Sequence, residues 1–148
     1  MSRILIASTD NDILKCRRAI QALRPSLSNE AYEIAIRNTL ADNRQMIFAE
    51  ENNEAAAVAV FETGYNLFRG KYIYIDDLST LPEYRGKGYA GKLLDWIFDF
   101  AQKENYDQIH LDSGVSESRT DAHRLYLNKR FEVASLHFTA KLKSLKYS

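Results

Sequence analysis

The chain has 148 residues, of which 45% are hydrophobic and 27% charged, and its formal net charge at pH 7 is zero. This length predicts one domain over residues 1–148 with a core of its own, and the balanced charge argues against a nucleic-acid or membrane surface. No apolar run reaches the ~20 residues of a membrane span, and the single cysteine, Cys16, favours the reducing cytoplasm because it cannot form an internal disulfide.

The first part of the chain predicts one strand and two helices. Ile4 to Ala7 is an apolar run of strand length. Apolar residues at helical spacing then predict a helix from Asn11 to about Leu23, with Asp10 as its N-cap. Ser28 is the expected N-cap of a second helix that ends near Leu40.

Three strands are predicted next. Gln45 to Ala49 and Ala55 to Thr63 are separated by the polar segment Glu51 to Glu54, which predicts a hairpin. A third strand runs from Lys71 to Thr80. It ends before Pro82, because proline cannot donate a hydrogen bond to a strand ladder.

The last part predicts a helix from Lys92 to Glu104, a strand from Gln108 to Asp112, a helix from Arg119 to Arg130 and a β-rich segment from Phe131 to Leu142. The core-facing stripe of the first of these helices consists of Leu93, Leu94, Ile97, Phe98 and Ala101. The predicted order, β-α-α-β-β-β-α-β-α-β, indicates a mixed α/β domain.

A glycine-rich loop, with glycines at 86, 88 and 91, joins the third strand of the hairpin region to the following helix. Glycines at such a junction leave backbone N–H groups free to surround an anion at the N-terminus of a helix. The loop therefore predicts a phosphorylated ligand.

Three phosphate-binding patterns fit this loop. Gly86-x-Gly88-x-x-Gly91 matches the dinucleotide fingerprint, but the segment from Leu81 to Arg85 separates it from the strand that it should follow directly. Gly86-x-x-x-x-Gly91-Lys92 matches a phosphate loop, but Leu93 stands where a magnesium-binding hydroxyl is required. The third pattern, Arg85-x-x-Gly88-x-Ala90, accounts for more of the surrounding sequence.

Two segments carry a family resemblance. The run from Leu78 to Gly88 resembles the acetyl-CoA-binding motif of the GNAT family of N-acetyltransferases. Ala122 to Phe131 resembles the Ala-x-x-Leu-Tyr-x-x-x-Gly-Phe segment of that family, and two motifs in the right order are more specific than either alone. The resemblance extends from Ile73 to Phe131. It implies a GNAT-type α/β fold, with a mixed, mostly antiparallel sheet, a splayed central strand pair and flanking helices.

The sequence departs from the family pattern at three positions. Arg130 stands where the family usually has glycine, which predicts a different helix end. Arg119 replaces an asparagine that often contacts the cofactor, so that role is not assigned to it. Thr80 replaces a common valine.

The resemblance implies acetyl-CoA as cosubstrate, and the residue spacing gives no reason to expect a metal. The implied cofactor-binding residues are Leu78, Ser79, Thr80, Arg85, Gly86, Lys87, Gly88, Tyr89 and Ala90. The N–H groups of the loop would bind the pyrophosphate, and the dipole of the following helix would add to this attraction. The three histidines and Cys16 lack the paired spacing of a metal site.

Three residues are the candidates for catalysis. An amine must lose a proton before it attacks, and Asp76 and Asp77 are the candidate bases. They are adjacent in a strand, so their side chains should point to opposite faces and one of them should line the cleft. Resemblance to polyamine and thialysine acetyltransferases favours Asp76, and resemblance to aminoglycoside 3-N-acetyltransferases favours Asp77. Tyr126 is the implied general acid toward the coenzyme sulfur.

Asp112 and His123 are the candidate acceptor-binding residues. The resulting hypothesis is a cytoplasmic N-acetyltransferase, monomeric or homodimeric, that acts by direct attack of a primary amine on a small cationic molecule. Neither a nucleic acid nor a membrane is an expected partner. The alternatives are an acyl-CoA-binding or sensory module without catalysis, and an acetyltransferase for proteins or peptides.

Overall fold

The computed structural model describes residues 3–115 and 117–143, with the backbone alone at position 117. The elements are β1 (Arg3–Ile6), α1 (Asp10–Leu23), α2 (Asn29–Ala41), β2 (Arg44–Glu51), β3 (Glu54–Asn66), β4 (Gly70–Thr80), α3 (Tyr89–Lys103), β5 (Gln108–Leu111) and α4 (Thr120–Asn128). Short 3₁₀ turns, Pro82–Tyr84 and Glu117–Arg119, precede α3 and α4. None of the helices in the described ranges is long and apolar enough to cross a membrane.

The strands form one sheet in the order β1-β2-β3-β4-β5. All neighbours are antiparallel except β4 and β5, which are parallel. The β4–β5 ladder pairs Tyr72–Ile75 with Gln108–Leu111 and stops there, although β4 continues to Thr80. The second half of β4, from Asp76 to Thr80, therefore has no described strand on its β5 side. This confirms the predicted mixed, mostly antiparallel sheet with a splayed strand pair.

A β-bulge interrupts β4 at the point where it leaves β5. Ile75 pairs with Phe61 and Asp77 pairs with Val60, so Asp76 has no partner in β3. A bulge inserts one extra residue and bends its strand. The divergence of β4 from β5 and the change in side-chain direction at Asp76 therefore occur at the same place.

The helix ends correct one prediction and confirm another. The N-cap of α1 is Thr9 and not Asp10: Thr9 Oγ1 accepts from the N–H of Asp12 at 3.1 Å, and Asp12 Oδ2 accepts from the N–H of Thr9 at 3.2 Å. This reciprocal capping box pairs two N–H groups, which an Asp10 cap could not do. Ser28 is the N-cap of α2, as predicted, and accepts from the N–H of Ala31 at 3.1 Å.

The third helix begins at Tyr89, which is earlier than the predicted start at Lys92. Gly88 is its N-cap, and Gly91 is accommodated in the first turn because a helical glycine costs only about 1 kcal/mol. The apolar stripe packs against the sheet, with Leu93, Leu94 and Ile97 fully buried. This packing holds the start of the helix beside the end of β4.

The predicted β-rich segment at the C-terminus is not a strand. From Phe131 to Leu142 the chain has no regular secondary structure, because none of these residues pairs with a described strand. The large apolar side chains that project into solvent are Val133, Leu136, Phe138 and Leu142.

Candidate active site

A cleft of about 160 Å³ opens where β4 leaves β5. Its walls come from the end of α1, the bulge of β4, the turn after β5, and α4. The lining includes Leu23, Arg24, Ile75, Asp76, Leu78, Leu111, Asp112, Ser113, Gly114, Arg119 and Tyr126. Of the residues predicted for the site, the fold thus brings together Asp76, Leu78, Asp112 and Tyr126.

Of the predicted catalytic and acceptor-binding residues, Asp77 and His123 do not line this cleft. Asp77 lines a second pocket between α1, α2 and the sheet, and Arg24 lines both this pocket and the cleft. Because Asp76 is the extra residue of the bulge, the alternation expected of adjacent strand residues does not separate the two acids. His123 Nε2 lies 2.7 Å from the carbonyl oxygen of Gly114. Because a carbonyl only accepts, His123 donates this hydrogen bond and thereby supports the rim of the cleft at Gly114.

The carboxylate of Asp76 shares an arginine with two other acids. Arg44 Nε donates to Asp76 Oδ2 at 2.7 Å, and the same guanidinium lies 2.9 Å from Asp42 Oδ2 and 3.2 Å from Glu62 Oε2. The hydrogen bond that Arg44 donates to Asp76 is the main reason why the pKa of Arg44 is raised. One guanidinium faces three carboxylates, so this cluster has an excess of negative charge, and Asp76 is its member that lines the cleft.

Asp77, by contrast, has an arginine to itself. Arg24 Nε donates to Asp77 Oδ1 at 3.0 Å, and a second guanidinium nitrogen of Arg24 binds the same oxygen. The Asp77 side chain is only 18% exposed. The two adjacent acids therefore differ in pocket, partner and local charge.

The end of α4 holds Tyr126 in place. Phe131 N donates to Tyr126 O at 3.0 Å and Arg130 N donates to Leu127 O at 3.1 Å, which are the two bonds of a Schellman motif. Arg130 has a φ of 69°, so it adopts the left-handed conformation in which the family usually has glycine. The helix end is therefore the usual one, contrary to the prediction from Arg130, and the Phe131 ring packs edge-on against Tyr126.

Burial raises the pKa of the Tyr126 hydroxyl above its ordinary value. The charge of Arg119 and a side-chain hydrogen bond from it act in the opposite direction. Tyr126 is 8% exposed and opens onto the cleft. The hydroxyl thus stays protonated at neutral pH and can donate a proton.

The opposite wall of the cleft carries Asp112, directly after β5. Tyr74 donates a hydrogen bond from its hydroxyl to Asp112 Oδ2. Burial, followed by this hydrogen bond, raises the pKa of Tyr74 to about 12. Beside Asp112, the Ser113 Oγ is buried and has no hydrogen-bond partner in the described part of the chain, so it could bind a ligand in the cleft.

The glycine loop forms an open cradle at the start of α3. Gly86 and Gly88 have φ values of 79° and 84°. Apart from their chain neighbours, no described atom lies within 4 Å of a Cβ built at either position. No side chain caps the N-terminus of α3, and Arg85 and Lys87 are exposed beside it. Free N–H groups, a helix dipole and two cations fit the phosphates of a nucleotide ligand.

Arg24, Arg44 and Ser113 were not predicted from the sequence. Arg24 lies 53 residues from Asp77, and Arg44 lies 32 residues from Asp76. No local pattern signals such pairs, because only the packing of α1 and β2 around β4 creates them. Within residues 3–115 and 117–143, no three His, Cys, Asp or Glu side chains form a group that could hold a metal.

Residues 13–131 match the sequence model of the Acetyltransferase (GNAT) family. The chain is 33% identical over 108 residues to YhdJ of Bacillus subtilis (strain 168), named an uncharacterized N-acetyltransferase; this covers 72% of the chain and 75% of YhdJ. It is 26% identical over 124 residues to the aminoalkylphosphonate N-acetyltransferase of Salmonella typhimurium (strain LT2), covering 82% of the chain and 79% of that relative.

The fold is also that of a solved acetyltransferase structure. AAC(6')-Iy in complex with the bisubstrate analog CoA-S-monomethyl-acetylneamine superposes with a TM-score of 0.81 and 14% identity. The match covers 97% of this chain and 99% of the other. At this identity the likeness concerns the fold.

Proposed function

The chain belongs to the acetyltransferase (GNAT) family, and from this premise we propose that it acetylates the primary amine of a small cationic molecule by direct attack. The family match and the named relatives make it an acetyl-CoA-dependent N-acetyltransferase. The observation that carries the proposed acceptor and mechanism is the cleft at the divergence of β4 and β5. It contains Asp76, Asp112 and Tyr126 together.

In this proposal acetyl-CoA, which supplies the activated acetyl thioester, binds at the glycine loop and along the second half of β4. The open conformation at Gly86 and Gly88 supports binding of the pyrophosphate by backbone N–H groups. Beyond Ile75, no strand in the described part of the chain pairs with the β5 side of β4, so the proposal places the pantetheine chain along this edge. The proposed binding residues are Leu78, Ser79, Thr80, Arg85, Gly86, Lys87, Gly88, Tyr89 and Ala90.

We assign the general base to Asp76, directly or through a water molecule. Its carboxylate lines the cleft, and its arginine is shared with two other carboxylates. Asp77 lies in another pocket and binds Arg24 by itself. Its proposed role is therefore to fix α1 against β4.

Tyr126 is the proposed general acid, which donates its proton to the departing thiolate. Burial keeps the hydroxyl protonated, and Arg119 lies on the same cleft wall, where its charge favours the thiolate. His123 acts indirectly in this proposal, because its hydrogen bond to Gly114 shapes the turn that carries Asp112 and Ser113.

The acceptor proposal rests on charge. Asp112 can bind one ammonium group of the acceptor. The excess negative charge of the carboxylates around Arg44 favours binding of another ammonium group on the same molecule. Arg24 and Arg119 also line the cleft, and they favour a second candidate, an amine that carries an acidic group. The aminoalkylphosphonate relative supports that second candidate.

Turnover of acetyl-CoA with an amine panel tests the proposal. Thiol release is measured with spermidine, an aminoglycoside, 2-aminoethylphosphonate and a peptide with a free N-terminus. The proposal expects the highest kcat/KM with the polycations, and Asp112→Asn should lower it for them. A preference for the phosphonate or the peptide would refute the cationic acceptor, and CoA binding without release from any amine would leave only the binding-module alternative.

A further inference from the structure

The hydroxyl of Ser113 is a buried polar group on the wall of the cleft. In the part of the chain that the structure describes, Ser113 Oγ is shielded from solvent and has no hydrogen-bond partner. Ser113 nevertheless lines the cleft, between the acceptor-binding candidate Asp112 and the turn at Gly114. A buried polar group without a partner is unfavourable, and most such groups in folded proteins have one. We therefore expect the partner of Ser113 on a ligand that occupies the cleft.

Ser113 differs from the other buried polar groups without a partner. Within the described ranges these are Arg17 Nε, Glu51 Oε2 and Arg69 Nε. Each of these atoms belongs to a guanidinium or a carboxylate, which has further polar atoms, and none of the three residues is among those that line the cleft. Serine has a single polar atom in its side chain. Its whole hydrogen-bonding capacity is thus left for a ligand.

The neighbouring carboxylate of Asp112 is oriented for a cation. The hydroxyl of Tyr74 donates to Asp112 Oδ2, and His137 Nδ1 lies 3.5 Å from the same oxygen. Two side chains thus fix Oδ2, and Oδ1 of Asp112 can accept from an ammonium group of the acceptor. Because Ser113 directly follows Asp112, a ligand group beside this ammonium group comes within reach of the Ser113 hydroxyl.

The charges around Ser113 favour a neutral partner. Arg119 packs against the same turn, since a Cβ built on Gly114 would lie 3.6 Å from Arg119 Cγ. An ammonium group at Ser113 would meet the positive charge of Arg119, and an acidic group there would meet the carboxylate of Asp112. A hydroxyl avoids both repulsions. It can also donate and accept, as the serine hydroxyl does, so either direction of the hydrogen bond is possible.

We propose that the acceptor is an amino alcohol, in which Asp112 binds an ammonium group and Ser113 hydrogen-bonds a neutral hydroxyl on the neighbouring carbon. This inference rests on the cationic acceptor proposed above and narrows its class from amines in general to hydroxylated amines, such as amino sugars. Ser113 is then the residue that determines specificity. A site that hydrogen-bonds a substrate hydroxyl discriminates against the analogue without it, because the polar group of the protein is then left unpaired.

Two diamines that differ by one hydroxyl test this inference. The kcat/KM of the wild type is measured with 1,3-diaminopropane and with 1,3-diamino-2-propanol, and their ratio gives the hydroxyl preference. Ser113→Ala should lower this preference about tenfold, the effect of one lost hydrogen bond in a buried site. The hydroxyl also changes the basicity of the amines, but this contribution is the same for both proteins and cancels in the comparison.

Two further variants serve as controls for the hydroxyl preference. Ser113→Thr keeps a hydroxyl and should keep the preference within about threefold of the wild type. Asp112→Asn should lower kcat/KM with both diamines and leave their ratio within about threefold, because the ammonium group is common to them. A role of Ser113 in folding alone would change the rates but not this ratio.

The remaining outcomes separate this inference from the proposed function. Turnover of both diamines with the same ratio in the wild type and in Ser113→Ala would overturn the role of Ser113 and leave the cationic acceptor in place. An equal loss with both diamines in Ser113→Ala would place the hydroxyl at acetyl-CoA and also overturn it. A Ser113-dependent preference for 2,4-diaminobutanoate would show that Ser113 binds an acidic group. Failure of all three diamines would refute the cationic acceptor and this inference with it.

Discussion

The carboxylate of Asp76 accepts a hydrogen bond of 2.7 Å from Arg44 Nε, which ties the bulge of β4 to the first residue of β2. Arg44 divides its donors among three carboxylates, so Asp76 is oriented toward the cleft without an arginine of its own. Its neighbour Asp77 has Arg24 to itself. This difference separates a candidate base from a structural acid and leads to the first prediction.

Asp76→Asn should lower kcat by about 10²-fold, the usual contribution of a general base. The matched variant Asp77→Asn should leave kcat within about twofold and remove a partly exposed ion pair that contributes at most about 1 kcal/mol to stability. Steady-state kinetics and thermal unfolding of both variants check this. A larger loss of kcat in Asp77→Asn than in Asp76→Asn would reverse the assignment.

Tyr126→Phe should lower kcat by about 10²-fold with little change in the KM of acetyl-CoA, because only the proton donor is lost. Burial places the pKa of Tyr126 above its ordinary value of 10.0. Since the protonated form is the donor, activity that depends on Tyr126 is lost only as the pH rises through this raised pKa. The kcat–pH profile of the wild type should therefore show no loss from Tyr126 below about pH 10.

Arg119→Met tests whether Arg119 lowers the pKa of Tyr126. Arg119 lowers the pKa of Tyr126 against the effect of burial, so its removal should raise that pKa further. Ultraviolet titration of the wild type and of Arg119→Met, each compared with its Tyr126→Phe counterpart, measures the shift. A lower tyrosine pKa in Arg119→Met would contradict the contact between the two side chains.

Gly88→Ala should weaken acetyl-CoA binding and destabilise the fold. A side chain at a φ of 84° costs ~1–2 kcal/mol, and the added methyl group projects into the open cradle. Gly91→Ala is the control, because Gly91 is helical and its added Cβ would meet Lys129 Cε at 3.6 Å, an ordinary contact. It should be neutral or stabilising by up to about 1 kcal/mol. Urea unfolding and the KM of acetyl-CoA distinguish the two variants.

Arg130→Gly should stabilise the protein by about 1 kcal/mol, because Arg130 occupies the left-handed conformation that glycine adopts without strain. Asn128→Gly, two residues earlier at the last residue of α4, should instead destabilise by roughly 0.3 kcal/mol, because glycine is a poorer helix former than asparagine. Chemical denaturation measures both changes. If Arg130→Gly were the more destabilising of the two, the Schellman end of α4 would not be the native one.

Cys16 should be unreactive in the folded protein. It is completely buried, and burial raises the pKa of its thiol to about 12, so almost no thiolate is present at neutral pH. A colorimetric thiol reagent should detect no cysteine in the native enzyme and one equivalent after denaturation. Fast reaction of the native protein would show that α1 opens readily, and it would also add background to the turnover assay.

The sequence by itself determined the features that depend on local patterns. Alternation and helical spacing predicted the types and order of the elements from Ile4 to Asn128, since backbone hydrogen bonding and amphipathic burial act over a few residues. The loop from Arg85 to Ala90 and the segment around Tyr126 predicted the family in the same way. The adjacency of Asp76 and Asp77 in a strand predicted opposite faces for their side chains, but the bulge at Asp76 interrupts that alternation.

Only the tertiary structure decided which of these acids lines the cleft. The bulge at Asp76, the sharing of Arg44 and the pairing of Asp77 with Arg24 all arise from contacts between elements that are distant in the chain. The same reason explains the C-terminal error. Phe131 to Leu142 has the alternation of a strand, but a strand forms only where another strand offers its edge, and a pattern within one segment cannot specify that partner.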